Sequence, residues 1–136
     1  MDIDEALAFL RDSHHSILIA RKADGSPQPS PVAHGVDDAG RVVISSREGA
    51  YKVRNLRRDP RATLCAFTDR FFGPWVVVEG TATVTSLPDA MEPLVELYRQ
   101  AAGEHPNWDE FREAMRAERR VLVAITVERA GPDAAG

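Results

Sequence analysis

The fold is decided by the stretch from Ser16 to Ser46, which is SILIARKADGSPQPSPVAHGVDDAGRVVISS. Apolar and β-branched residues form three extended segments in it. Two short segments, Ala23–Ser26 and Asp37–Gly40, separate them, and each contains a glycine that can adopt the positive φ of a tight turn. Strands joined by turns this short run antiparallel. The stretch therefore predicts three consecutive antiparallel strands, over residues 16–20, 27–36 and 41–46.

The second of these strands contains three prolines, Pro27, Pro29 and Pro31. Because proline has no N–H to donate to a sheet, this strand is predicted to lie at an edge or to contain a bulge. Side chains alternate along an extended chain, so Gln28 and Ser30 point to the same side. Two interpretations remain open: a proline-stiffened structural strand, or a polar pair that contacts the rim of a flat ring.

Patterns on both sides of this stretch complete the predicted architecture. Apolar stripes at helical spacing predict helices over residues 3–11 and 48–58, and two later helices opened by Pro88 and capped by Asn107. Further strands are predicted over residues 61–68, 75–85 and 121–127, with a bulge at Glu79–Gly80. The resulting order is typical of a mainly β (α+β) fold, a small six-stranded antiparallel β-barrel, closed or split, with flanking helices.

Composition limits the function classes. With 136 residues, of which 43% are hydrophobic and 28% charged, the chain is predicted to form one globular domain over residues 1–130, followed by a disordered tail over 131–136. A formal net charge of -4 argues against general nucleic-acid binding. No apolar run approaches the roughly 20 residues of a membrane helix, and the acidic start is unlike a signal peptide. A cytoplasmic protein without a membrane partner is therefore expected. The lone cysteine, Cys65, is predicted to be a small core residue.

A local basic run is the first candidate binding site. The segment Gly49–Arg61 contains five basic residues and follows a strand that ends in Ser45–Arg47. Hydroxyl groups and the N–H groups of a helix start donate hydrogen bonds to a phosphate, while cations neutralise its charge. Lys52, close to the predicted helix start, is the principal candidate. The alternative is a solvated helix face paired with the flanking carboxylates of Glu48 and Asp59.

An aromatic segment and four histidines give weaker signals. The run Phe71–Trp75 contains three aromatic residues and fits a core, a flat wall for an aromatic ligand, or a dimer seam. His14 and His15 are adjacent and the other two histidines are isolated, so no metal-binding pattern is present. No glycine-rich phosphate loop, serine-nucleophile motif or carboxylate pair is found.

Three runs in order, GSPQPSPV at 25–32, VISSR at 43–47 and KVRNLRRDPRA at 52–62, resemble the pyridoxamine 5′-phosphate oxidase-like split barrels. The resemblance continues through residues 78–82, 97–99, 103–108 and 119–122, and so covers almost the whole chain. The runs at 52–61 and 103–108 are similar to the actinobacterial branch that uses the deazaflavin coenzyme F420, not FMN.

This resemblance implies a homodimer with two cofactor sites at its interface. In the family, the lysine at the position of Lys52 contacts the cofactor phosphate. The ribityl-phosphate side would be lined by three residues of the strand end, Ser45, Ser46 and Arg47. The ring would lie along a second strand, beside Gln28, Ser30 and Val32. An aromatic residue around Trp75 would come from the partner subunit.

One position departs from the family pattern. Related sequences can carry an arginine two residues before the lysine, where this chain has Ala50. The missing contact is either lost or taken over by Arg47 or Arg54. The resemblance names no catalytic side chain, and His34 is the one candidate proton donor.

The activity implied is that of an F420H2-dependent oxidoreductase, which transfers a hydride from the C5 carbon of the reduced deazaflavin to an unsaturated or heteroaromatic small molecule. Two alternatives remain: an FMN-binding oxidoreductase on the same barrel, and an F420 carrier without turnover. Oxidation of vitamin B6 is a weaker one, because the chain is short for it.

Overall fold

The structure is a computed structural model and describes residues 1–133. Its elements follow the predicted order: α1 (Ile3–Asp12), β1 (His15–Arg21), β2 (Pro27–Val36), β3 (Val42–Arg47), α2 (Tyr51–Arg58), β4 (Arg61–Phe67), β5 (Trp75–Ser86), α3 (Met91–Ala102), α4 (Trp108–Ala117) and β6 (Arg120–Gly131). Among residues 1–133, no helix has the length and apolar character needed to cross a membrane.

The six strands form a closed barrel in the order β1-β2-β3-β6-β5-β4, and all neighbouring strands are antiparallel. This confirms the predicted six-stranded antiparallel barrel. Alternate residues point inward, and the fully buried side chains of Leu18, Ile44 and Leu64 are part of the core. Helices α1 and α2 add Leu10 and Leu56 to the same core.

A second, smaller core lies on the outer side of the barrel. There α3 and α4 pack against outward-pointing residues of β3 and β6, including Val43, Leu122 and Ala124. Between the two helices, four aromatic rings pack against one another, those of Tyr98, His105, Trp108 and Phe111. The helical hairpin therefore covers the β3/β6 side of the barrel.

Strand β2 is paired on both sides along only part of its length. It pairs with β1 from Pro27 to Ala33, but with β3 only from His34 to Val36. The backbone N–H of His34 donates to the carbonyl of His14 on the β1 side, at 2.9 Å. Successive residues of a strand direct their backbone N–H and C=O groups to opposite sides of the strand. The backbone nitrogens of Pro27, Pro29 and Pro31 therefore face the unpaired side. The predicted edge is confirmed for this half of β2. The edge has free carbonyl oxygens but lacks the three N–H donors that the proline positions would otherwise supply.

The predicted bulge is also present, as a register shift between Glu79 and Gly80 where β5 pairs with β6. A Cβ atom on Gly80 would lie 1.9 Å from the backbone oxygen of Thr126. Only glycine allows the two strands to approach this closely.

Several boundaries differ from the prediction. Helix α2 begins at Tyr51, after a turn in which the N–H of Ala50 donates to the carbonyl of Arg47. Strand β6 continues to Gly131, which pairs with Val77, so the first residue of the predicted tail is in a strand. Residues 134–136 of that tail lie outside the described residues. Cys65 is not a core residue, since it is half-buried on the outward side of β4 while Leu64 points inward.

Candidate phosphate-binding site

The start of α2 lacks the usual protein caps. Its N-cap residue, Ala50, makes no side-chain hydrogen bond, and its first turn contains no acidic residue. By contrast, α1 and α4 are capped by the side chains of Asp2 and Asn107 and carry acidic residues in their first turns. An uncapped helix start has N–H groups and a partial positive charge available for an anion.

Lys52 lies in this first turn and is half-buried. Its pKa is lowered, mainly by burial and also by the positive charge of Arg120. Among the described residues, no carboxylate lies within ion-pair distance of its amine. A lysine in this position has the chemistry needed to bind a phosphate.

The other cations of the basic run behave differently. Arg57 pairs with Glu48 at 2.9 Å, and Arg61 pairs with Asp59 at 2.7 Å. Arg58 donates to the side chain of Asn55 and to a backbone carbonyl. The interpretation as cations paired with the carboxylates of Glu48 and Asp59 is therefore correct for Arg57 and Arg61, and it applies neither to Arg58 nor to Lys52.

Arg120 is a basic residue of this site that the sequence analysis missed. It opens β6 directly beside Arg47, its cross-strand partner. One carboxylate oxygen of Glu118 accepts from Arg120 at 2.8 Å and from Arg47 at 3.2 Å. The Nε of Arg120 is buried and has no hydrogen-bond partner among the described residues. In the sequence, Arg120 could have been noticed as part of the pair Arg119–Arg120 before an apolar run. This pair lies far from Lys52 in the sequence, so nothing there connected the two.

The two hydroxyl groups at the end of β3 do not act together. Ser46 is buried on the inward face that it shares with Ile44, whereas Ser45 is half-buried on the outward face with Val43 and Arg47. The alternation of side chains along a strand separates the two serines. Only Ser45 and Arg47 share a face, so the predicted hydroxyl pair is wrong as a pair.

The polar strand residues lie on one side of β2, as predicted. Gln28, Ser30 and Val32 are half-buried, while the intervening prolines are exposed. The side-chain oxygen of Gln28 accepts from Asn55 of α2 at 2.8 Å. The hydroxyl of Ser30 is buried and has no hydrogen-bond partner among the described residues. Val32 packs against the barrel core. The Gln28–Asn55 contact brings this strand beside the helix that carries Lys52.

Among the described residues, no side-chain hydrogen bond or ion pair joins Arg54 or Trp75 to Lys52, Ser45 or Arg47. Arg54 is exposed, with its guanidinium 5.9 Å from the centroid of the Tyr51 ring. Trp75 is 40% exposed, and the neighbouring Phe71 and Phe72 are 85% and 90% exposed. The core interpretation of this aromatic segment is therefore wrong, and a ligand wall or a dimer seam remains.

His34 has no exposed surface. Its Nδ1 lies 2.8 Å from the hydroxyl of Ser16, and its Nε2 lies 3.2 Å from the carbonyl oxygen of Leu10. Burial lowers the pKa of His34 to about 4. A neutral, enclosed imidazole with both nitrogens in hydrogen-bond distance of the protein does not reach a substrate, so its role as a proton donor is not supported.

The chain is 28% identical over 127 residues to the F420H(2)-dependent biliverdin reductase of Mycobacterium tuberculosis (strain CDC 1551 / Oshkosh), which covers 93% of this chain and 84% of that protein. Its fold matches a conserved hypothetical protein of Mycobacterium tuberculosis with a TM-score of 0.78 and 24% identity, covering 96% of this chain and 82% of the other. It also matches a structure described as F420 Reductase, with a TM-score of 0.71 and 15% identity, covering 91% and 94%.

These likenesses in sequence and fold extend over nearly the whole barrel. The profile of the family described as Pyridoxamine 5'-phosphate oxidase matches residues 3–132, from the start of α1 to just beyond the end of β6. The chain belongs to the pyridoxamine 5'-phosphate oxidase family.

Proposed function

We propose that the protein is an F420H2-dependent oxidoreductase that reduces an unsaturated or heteroaromatic small molecule. The observation that carries the proposal is the uncapped start of α2 with Lys52, a cation without a carboxylate partner among the described residues. The similarity to an F420H(2)-dependent reductase over 93% of the chain supports F420 as the cofactor.

The residues of the site fit a phosphorylated coenzyme with a flat ring. Lys52 and the N–H groups at the start of α2 bind the phosphate, with Ser45 and Arg47 beside them. On β2, the buried hydroxyl of Ser30 lacks a hydrogen-bond partner among residues 1–133 and is available to a polar atom of the ring edge.

When bound, the reduced deazaflavin supplies a hydride from its C5 carbon. The protein holds the ring in position and excludes water from it. None of the side chains in the site has to form a covalent bond, which agrees with a site that contains no nucleophile paired with a base. The donor of the balancing proton is not among the residues proposed for the site.

A homodimer is part of the proposal. On the outward face of β1, β4 and β5, a row of cross-strand partners consists of Ile17, Cys65 and Val77. Ile17, Cys65 and Val77 are all half-buried, and the row lies next to the exposed pair Phe67 and Trp75. We assign this outer apolar face to contact with a second copy of the chain. The face is continuous with the aromatic segment around Trp75, and the family resemblance implies that an aromatic residue of this segment contacts the cofactor of the partner subunit.

FMN is the alternative cofactor. It has a phosphate as well, and neither Lys52 nor a helix start distinguishes one phosphate-bearing cofactor from the other. A carrier function is a second alternative, because the same contacts bind a coenzyme whether or not a substrate is reduced.

Calorimetric titration of the apo-protein with F420, and separately with FMN, tests the proposal. We expect binding of F420 that is tighter than binding of FMN, followed by oxidation of F420H2 in the presence of a reducible substrate. Tighter binding of FMN would move the assignment to a flavin enzyme. Binding of F420 without turnover over a broad substrate panel would indicate a carrier, and no binding of either coenzyme would overturn the proposal.

A further inference from the structure

Three cations and one carboxylate meet where β3 ends and β6 begins. Arg47 and Arg120 are cross-strand partners, and a single oxygen of Glu118 accepts from both, at 3.2 and 2.8 Å. Lys52 starts from the same strand end, because the turn before α2, in which the N–H of Ala50 donates to the carbonyl of Arg47 at 3.1 Å, joins its helix to Arg47. The positive charge of Arg120 also acts on Lys52. We call the three cations Arg47, Lys52 and Arg120, together with the carboxylate of Glu118, the cation cluster.

Positive charge exceeds negative charge in the cation cluster. Glu118 is the only carboxylate that pairs with Arg47 or Arg120 among the described residues, and Lys52 has no such partner there. In addition, the Nε of Arg120 is buried and has no hydrogen-bond acceptor within residues 1–133. A buried N–H without an acceptor is costly, so a further acceptor is expected at this position.

Glu118 is a partly exposed residue. It follows α4 as the C-cap residue, and its side chain is 34% exposed. Its carboxylate accepts from Arg47 and Arg120 and makes no other hydrogen bond among the described residues. A rotation of this one side chain would free both guanidinium groups.

We propose that Glu118 is a built-in counterion that a phosphate group of the ligand displaces, and that Arg120 is a phosphate-binding residue beside Lys52. The inference rests on the proposed function, since it refines the same phosphate site. A phosphate has more acceptor oxygens than one carboxylate, so it can bind both arginines and Lys52 together. In the free protein, Glu118 keeps the arginines in place and lowers their repulsion.

The test compares two changes at the site with a matched control. Glu118→Gln removes the competing charge, and Arg120→Gln removes the proposed contact. Glu113→Gln removes a carboxylate of α4 whose one ion pair among the described residues is with Arg116, at 3.7 Å, and so reproduces the change in net charge. Each variant is titrated calorimetrically with F420 and with FMN.

We expect Glu118→Gln to bind the coenzyme about fivefold to tenfold more tightly than the wild type, and Arg120→Gln to bind it about tenfold or more weakly. Glu113→Gln should bind like the wild type. Equal or weaker binding by Glu118→Gln would overturn the inference and indicate that Glu118 only orients the arginines. Unchanged binding by Arg120→Gln would also overturn it. If Arg120→Gln does not fold, Arg120→Lys replaces it, with weakened binding again expected because the lysine cannot form the two-pronged contact.

Failure of the proposed function gives a different result. If the wild type binds neither coenzyme, the same variants are titrated with inorganic phosphate and followed by thermal shift. A stronger stabilisation of Glu118→Gln than of Glu113→Gln would support the phosphate site without the coenzyme. Equal stabilisation of the two variants would overturn it.

Discussion

At the scale of single residues, neighbouring cations of one basic run differ in their environment. Arg57 and Arg61 are neutralised by carboxylates, whereas no carboxylate of residues 1–133 lies within ion-pair distance of the Lys52 amine. The sequence predicted Lys52 from its place near a helix start. It did not reveal Arg120, because the pairing of β3 with β6 that places Arg120 beside Arg47 joins segments far apart in the chain.

We therefore predict that Lys52→Ala weakens coenzyme binding by about 1.5–3 kcal/mol, the loss of one charge-assisted hydrogen bond. Arg61→Ala is the control, because it removes the same charge from the same run but an arginine already paired with Asp59. Titration calorimetry measures both. Equal affinities of the two variants, with the fold intact, would exclude Lys52 from the site.

The buried imidazole of His34 makes the stability depend on pH. Burial lowers the pKa of His34 to about 4, so between that value and about 6.5 the unfolded chain binds the proton and the folded protein does not. The free energy of unfolding should therefore rise with pH through this window. We expect a loss of about 2 kcal/mol between pH 7 and pH 5, measured by urea unfolding.

His34→Gln serves as the control for this pH dependence. It removes the titrating group at a modest cost in packing, so its free energy of unfolding should change less over the same pH range. An identical change in the two proteins would show that other groups cause the effect.

At the scale of elements, local patterns predicted the order of helices and strands, the bulge and the cap at Asn107. They were less reliable for the start of α2, because Glu48 and Gly49 form a turn before its N-cap residue, Ala50. The predicted pair of hydroxyls at Ser45 and Ser46 was wrong for a physical reason. Two consecutive residues of a strand point to opposite faces, and here one of those faces is the barrel core.

The bulge gives a test at this scale. Gly80→Ala would bring a Cβ atom to 1.9 Å from the backbone oxygen of Thr126, so the strands must separate. We expect a loss of about 1–3 kcal/mol or more in the free energy of unfolding, measured by urea denaturation. Gly49→Ala is the control, because a Cβ there meets no atom within 4 Å. A loss of similar size in both variants would contradict a steric cause.

At the scale of the whole molecule, the barrel closes through strand pairs that are distant in sequence. Pairing of β3 with β6 and of β1 with β4 cannot be derived from tight turns, so the number and order of the strands predicted a barrel, closed or split, without its strand neighbours. The substrate could not be predicted from the sequence, because the residues proposed to bind a coenzyme phosphate do not depend on which molecule is reduced.

The proposed homodimer is tested through the outer apolar face. We expect the wild type to sediment with twice the 15.0 kDa mass of the chain, and Ile17→Glu to sediment as a monomer, because a buried carboxylate would be unpaired there. The control is Ala101→Glu, an equal change at an exposed position on α3. A monomeric wild type at micromolar concentration would contradict the dimer, and so would an Ile17→Glu variant that remains dimeric.

The partly unpaired edge of β2 affects whether the protein pairs with strands of other chains. A free strand edge normally recruits a foreign strand, which is a common route to aggregation. Here Pro27, Pro29 and Pro31 leave such a strand with no N–H groups to bind at those three positions. The unpaired half of β2 is therefore a poor template for β-sheet growth.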